Sequence, residues 1–111
     1  MNTKIKSVEE VENAIMAGEF KVEIPKDLPH VEKIKMLNEA QMKANEAFID
    51  AFVEETGFNK VQVAMAFAIA WERGHSSGWQ EVFIEMDEIM TFVEDFTKAA
   101  NKLMMSVSEL L

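Results

Sequence analysis

The chain has no cysteine, which excludes disulfides and thiolate metal sites. Four glycines and two prolines in 111 residues are too few for a turn-rich β architecture. No apolar run exceeds the nine residues of 63–71, about half the roughly 20 that a membrane helix needs. The opening Met1-Asn2-Thr3-Lys4-Ile5-Lys6 is followed by no apolar signal-peptide core. These absences lead us to expect a cytoplasmic protein that neither enters nor crosses a membrane. Histidine is scarce as well. His30 and His75 are the only two, and neither has a histidine downstream of residue 75 to work with.

Bases are missing from one stretch in particular. Six acids (Glu81, Glu85, Asp87, Glu88, Glu94, Asp95) lie between Arg73 and Lys98 with no base among them. Residues 1–43 are nearly balanced, with seven lysines against eight acids, so most of the net charge of −9 belongs to the second half. Such a field repels phosphate and argues against direct nucleic-acid or anionic-membrane binding. It would attract a protein with a basic surface, although a solvated helix face is the simpler explanation of the same pattern.

Hydrophobic residues make up 49% of the chain, enough for one core in a single domain. Ser7 and Glu10 fit a capping box, Val8, Val11 and Ile15 recur at helical spacing, and Gly18 supplies a stop, predicting a helix over 8–17. Phe20-Lys21-Val22-Glu23-Ile24 alternates as a strand would, with Thr3 to Lys6 as a candidate partner in a two-stranded ribbon. Pro29 suits the first turn of a helix, and a stripe from Val31 to Phe52 at steps of three and four carries that helix to Thr56, before Gly57.

Asn59 and Gln62 form a second capping box ahead of 63–71, where alanine fills alternate places. Alanine favours helix over strand, so a helix over 60–73 is expected, apolar all round and the most buried element. Ser77 can cap a last helix whose stripe includes Trp79, Val82, Phe83, Met86, Ile89, Met90, Val93, Phe96, Ala100, Leu103 and Met104. Residues 106–111 are expected to fray. The fold class expected is mainly α: an antiparallel bundle over 27–105, preceded by the short helix and ribbon of 1–26. Overhanging ends of the long helices would leave Phe92, Phe96, Leu103 and Met104 exposed, which favours a homodimer.

Three motifs compete with plainer explanations. Gly74-His75-Ser76-Ser77-Gly78 satisfies the G-x-S-x-G pattern of a nucleophile elbow, but that chemistry needs a strand before the serine and a later histidine. A structural helix junction made of Gly74, His75, Ser76, Ser77 and Gly78 is the better expectation. Glu72 and His75 stand at Glu-x-x-His spacing, yet a bundle metal site uses two such pairs and only one is present. A hydrogen-bonded structural histidine is favoured there, with Arg73 paired to Glu72 or Glu81. The nine methionines, among them Met36, Met42, Met65, Met86, Met90, Met104 and Met105, sit at or near stripe positions and are expected in the core. Neither a catalytic residue nor a cofactor is expected.

The stretch Ala70-Trp71-Glu72-Arg73-Gly74-His75-Ser76-Ser77-Gly78, followed by Glu81-Val82 and an acidic apolar helix, resembles segments of small proteins of tailed bacteriophages. The resemblance covers residues 68–96 and carries no catalytic residue. It implies a phage accessory protein working in the host cytoplasm, in a class rich in compact acidic inhibitors of host enzymes. Two partner classes are then open. A host protein could be gripped through apolar contact with Trp71 or Trp79 as anchor. Alternatively Glu81, Glu85 and Glu88, at steps of four and three on one helix face, could imitate a row of DNA phosphates.

Overall fold

The computed structural model describes residues 6–110, and among them every regular element is helical. α1 spans Val8–Met16, α2 His30–Thr56, α3 Lys60–Gly74 and α4 Trp79–Leu110, with a 3-10 turn His75–Ser77 between the last two. The protein is therefore mainly α. No described helix is long and apolar enough to cross a membrane.

The helix boundaries follow from local chemistry. Ser7 is the N-cap of α1, and its hydroxyl oxygen accepts from the Glu10 backbone N–H at 3.2 Å. At the other end the Glu19 N–H reaches the Ala14 carbonyl and the Gly18 N–H reaches Ile15. That closure needs Gly18 at φ 81, a region that glycine enters without steric cost. Asn59 caps α3 through its side-chain oxygen, which accepts from the Val61 N–H at 2.8 Å. Replacing Ser7 by Ala removes the acceptor of the Glu10 N–H and is expected to cost about 1 kcal/mol, read as a lower urea midpoint.

The chain divides into two compact units, one ending at Met65 and the other beginning at Ala66, with the division inside α3. In the first unit α1 packs on α2. The Val8 N–H donates to Glu55 Oε1 at 2.9 Å, and the segment after α1 borders residues 36–43 of α2, so the two helices run antiparallel. Val11, Ala14 and Ile15 of α1 are buried, as are Ala44, Phe48, Ala51 and Phe52 of α2. Phe48 and Phe52 meet edge to face, with centroids 5.0 Å apart. Lys60 closes an exposed ion pair with Asp50 at 3.1 Å, which raises the lysine above its ordinary value. In the second unit Ala66, Phe67 and Ala70 are buried on α3, and Val82, Phe83, Met86 and Met90 on α4.

Several expectations need correcting. Residues 20–24 form no strand; Phe20 lies in the turn after α1 and 21–25 are irregular. Burial does not follow the alternation either: Phe20 and Ile24 are half-buried, but Val22 between them is exposed, and residues 19–22 border 36–43 of α2. Of the partner segment proposed for the ribbon, Thr3 to Ile5 lie outside the described residues.

α3 is not buried all round. Val63, Ala66, Phe67 and Ala70 are covered, whereas Val61, Met65 and Ile69 on another face are exposed. Alternating alanine with larger residues placed bulk on both faces, and only one found a neighbour. α4 begins after Gly78, so Ser77 is not its cap, and Pro29 stands just before α2 rather than in its first turn. Residues 106–110 are helical, because Leu103 to Glu109 contain good helix formers and no Gly or Pro to stop them. Of the methionines expected in the core, Met86 and Met90 are buried and Met36 half-buried, while Met42, Met65, Met104 and Met105 are exposed.

Candidate functional site

Two features of the second unit stand out, an aromatic cluster at the α3–α4 junction and an apolar stripe along the last half of α4. The cluster arises because aromatic residues fall one turn apart on either side of a five-residue junction. Phe67 and Trp71 stack along α3 at 6.0 Å, and His75 continues the column on Trp71 at 5.4 Å. Trp79 and Phe83 form a second pair on α4 at 5.4 Å. The columns interlock, with Trp71 meeting Trp79 at 5.2 Å and a 63° angle, and Phe67 meeting Trp79 at 6.2 Å. Each such contact adds of order 1 kcal/mol beyond area burial. Both tryptophans end up half-buried, largely engaged with each other.

Local backbone geometry and hydrogen bonds hold the junction. Gly74 is buried, Gly78 takes φ 104, and the Gly78 N–H closes the turn on the His75 carbonyl. His75 Nδ1 lies 2.6 Å from the Trp71 carbonyl oxygen. A carbonyl only accepts, so the imidazole donates from Nδ1 and satisfies one of the open carbonyls at the end of α3. Ser76 and Ser77 are exposed within the 3-10 turn, and a helix precedes them where a nucleophile elbow requires a strand. Glu72 is exposed, and among the described residues no group of three or more His, Asp or Glu side chains is placed to hold a metal.

The acidic row is less free than its spacing suggests. Glu81 and Glu85 are half-buried and Glu88 is exposed. Arg73 Nη1 lies 3.7 Å from Glu85 Oε2, so Arg73 pairs with Glu85 and with neither Glu72 nor Glu81.

Along α4 the apolar pattern is stricter than a broad stripe. Trp79, Val82, Met86, Ile89, Val93, Phe96, Ala100, Leu103, Val107 and Leu110 recur at alternating steps of three and four without a break. That is the a/d repeat of a coiled-coil seam. Its first part is covered, with Val82 and Met86 buried and Trp79 and Ile89 half-buried. Beyond Ile89 it opens: Val93 and Ala100 are half-buried, Phe96 is 64% exposed, Leu103 66% and Leu110 87%, and the flanking Phe92 and Met104 are 69% exposed each. The positions flanking the open seam are Phe92, Thr97, Ala99, Met104 and Ser106, none of them charged. Charges occupy the far side of the helix, where Lys98 pairs with Glu94 at 3.2 Å. The sequence held the signal for the last turn, since Val107 and Leu110 continue the seam through Ser106 and Ser108.

An open cavity of about 270 Å³ in the first unit is lined by Phe20, Val22 and Met36 together with Lys21, Glu39 and Lys43. Its mixed charges favour no ligand sign. No protein-family model, curated protein or solved structure matches the chain.

Proposed function

We propose that the chain works by protein–protein contact, without catalysis, and that the second half of α4 is the contact surface. The observation that carries this reading is the open, charge-free seam from Phe92 to Leu110. Five large apolar side chains on one helix, each about two-thirds exposed or more, are costly in water. Contact with a partner removes that cost. Trp71 and Trp79 are engaged with each other and lie outside this surface, which weakens the case for either as the anchor. A phage accessory modulator of a host protein would use such a surface. The reading in which Glu81, Glu85 and Glu88 imitate DNA draws less support, because Arg73 offsets one charge of the three.

Salt and substitution together test the proposal. The tagged chain is exposed to bacterial lysate containing an untagged copy, at low and at high ionic strength. Phe96→Gln with Leu103→Gln serves as the comparison, since glutamine keeps the helix and adds no charge. Retention of a protein at high salt by the wild type, and its loss from the variant, is the expected result. Equal retention by both would sink the surface assignment. Loss at high salt together with weakening by Glu81→Gln and Glu85→Gln would favour charge imitation instead.

A further inference from the structure

We propose that the occupant of the open α4 seam is the same segment of a second copy, running antiparallel. The inference rests on the contact-surface reading above and names its partner. Antiparallel helices pair an a position of one with a d position of the other. Here that pairing closes on itself. Val93 falls opposite Leu110 of the second copy, Phe96 opposite Val107 and Ala100 opposite Leu103, and the twofold axis generates the same three layers again. Every open seam residue is used and none is left over.

Side-chain volumes favour this direction. A parallel pair would set Ala100 against Ala100, leaving a gap, and Phe96 against Phe96, crowding the next layer. In the antiparallel pair the small Ala100 faces Leu103, and the bulky Phe96 faces the smaller Val107. Such large-against-small alternation is what close packing requires.

Charge points the same way. Residues 92–110 carry two lysines and three acids, nearly neutral in a chain of net charge −9, and none of the five stands at a seam or flanking position. A parallel pair would set the acids of the first half of α4, Glu81, Glu85, Asp87 and Glu88, level with their counterparts on the neighbouring helix. The antiparallel pair carries them to opposite ends, well beyond a Debye length of about 10 Å. Complete covering of Phe92, Phe96, Leu103, Met104 and Leu110, each 64–87% exposed, would remove at most roughly 600 Å² per copy, at the small end of stable interfaces, which bury about 800 Å² per partner. Met105 lies on the far side of the helix and stays uncovered.

Sedimentation equilibrium of the full chain tests assembly. A dimer is expected in the micromolar range, persisting at high salt, with the dissociation constant raised about tenfold or more by Phe96→Gln with Leu103→Gln. Direction is read by disulfide cross-linking, which is clean in a chain without native cysteine. Val93→Cys mixed with Leu110→Cys should cross-link between unlike chains. Either variant alone should not, because like positions would stand about 25 Å apart along the helix and a disulfide needs Cα atoms within about 7 Å. Cross-linking by Val93→Cys alone would overturn the antiparallel register. A monomer at every concentration would overturn the second copy as occupant. In that case a lysate protein still retained through Phe96 and Leu103 would leave the contact-surface reading standing, and failure of both would remove it too.

Discussion

Truncating Phe48 to Ala is expected to cost about 3–5 kcal/mol, the largest loss at any single side chain of the first unit. Phe48 is fully buried near the middle of the second half of α2. Its neighbours on that face are Ala44, Ala51 and Phe52. Two of those are alanines, too short to move into the space that the ring vacates, so the cavity would persist. The ring also gives up its edge-to-face contact with Phe52. Urea unfolding followed by far-ultraviolet circular dichroism measures the effect as a drop in midpoint. Leu37→Ala is the comparison at an exposed position of the same helix, 54% exposed, and should shift the midpoint far less. Similar losses at the two positions would mean that Phe48 is not closed in by its unit.

Helix positions were legible in the sequence because their signals are local. Ser7, Gly18, Gly57 and Asn59 each act within four residues of themselves, through one hydrogen bond or one positive φ. The strand reading of 20–24 failed for the opposite reason. An alternating apolar pattern needs a partner to cover it, and here Phe20 and Ile24 are only half-buried while Val22 is exposed. Nothing local shows whether that partner exists.

The same limit governed α3. An all-apolar segment shows that it could be buried on every face without showing that neighbours exist for every face. Met65 and Ile69 found none. Of the candidate site, the break between the two helices at Gly74 to Gly78 was readable from its small residues, whereas the contact of His75 with the Trp71 carbonyl follows from the helix end. The pairing of Arg73 with Glu85 was not, because it depends on where the turn aims α4. The seam past Leu103 was readable in principle. Its regular steps were masked by two serines, which weaken helix propensity by only a few tenths of a kcal/mol and cannot stop a helix alone.

Gly74→Ala should lower the stability of the second unit by about 1–3 kcal/mol, and the sign is the informative part. Gly74 ends α3 with φ near −115°, a conformation open to any residue. Alanine in a helix is ordinarily worth about 1 kcal/mol more than glycine, so propensity alone predicts a gain. Space predicts a loss. A Cβ at Gly74 would stand 2.9 Å from the Val82 backbone nitrogen, 3.0 Å from the Glu81 carbonyl carbon and 3.1 Å from the Val82 Cα. All three are backbone atoms, so no side chain can swing aside. The first turn of α4 would have to back away, and with it Trp79 from Trp71 and Glu85 from Arg73. Gly57→Ala is the instructive contrast, since nothing lies within 4 Å of its Cβ and its cost, about 1–2 kcal/mol, comes only from the left-handed φ of 72. Trp71 and Trp79 are the two tryptophans of the chain, and both belong to the second unit. Tryptophan fluorescence during urea unfolding therefore reads the Gly74 variant directly, and a red shift of the native spectrum should accompany the lower midpoint as the cluster opens. A higher midpoint with an unchanged spectrum would mean that α3 and α4 do not meet backbone to backbone at this glycine.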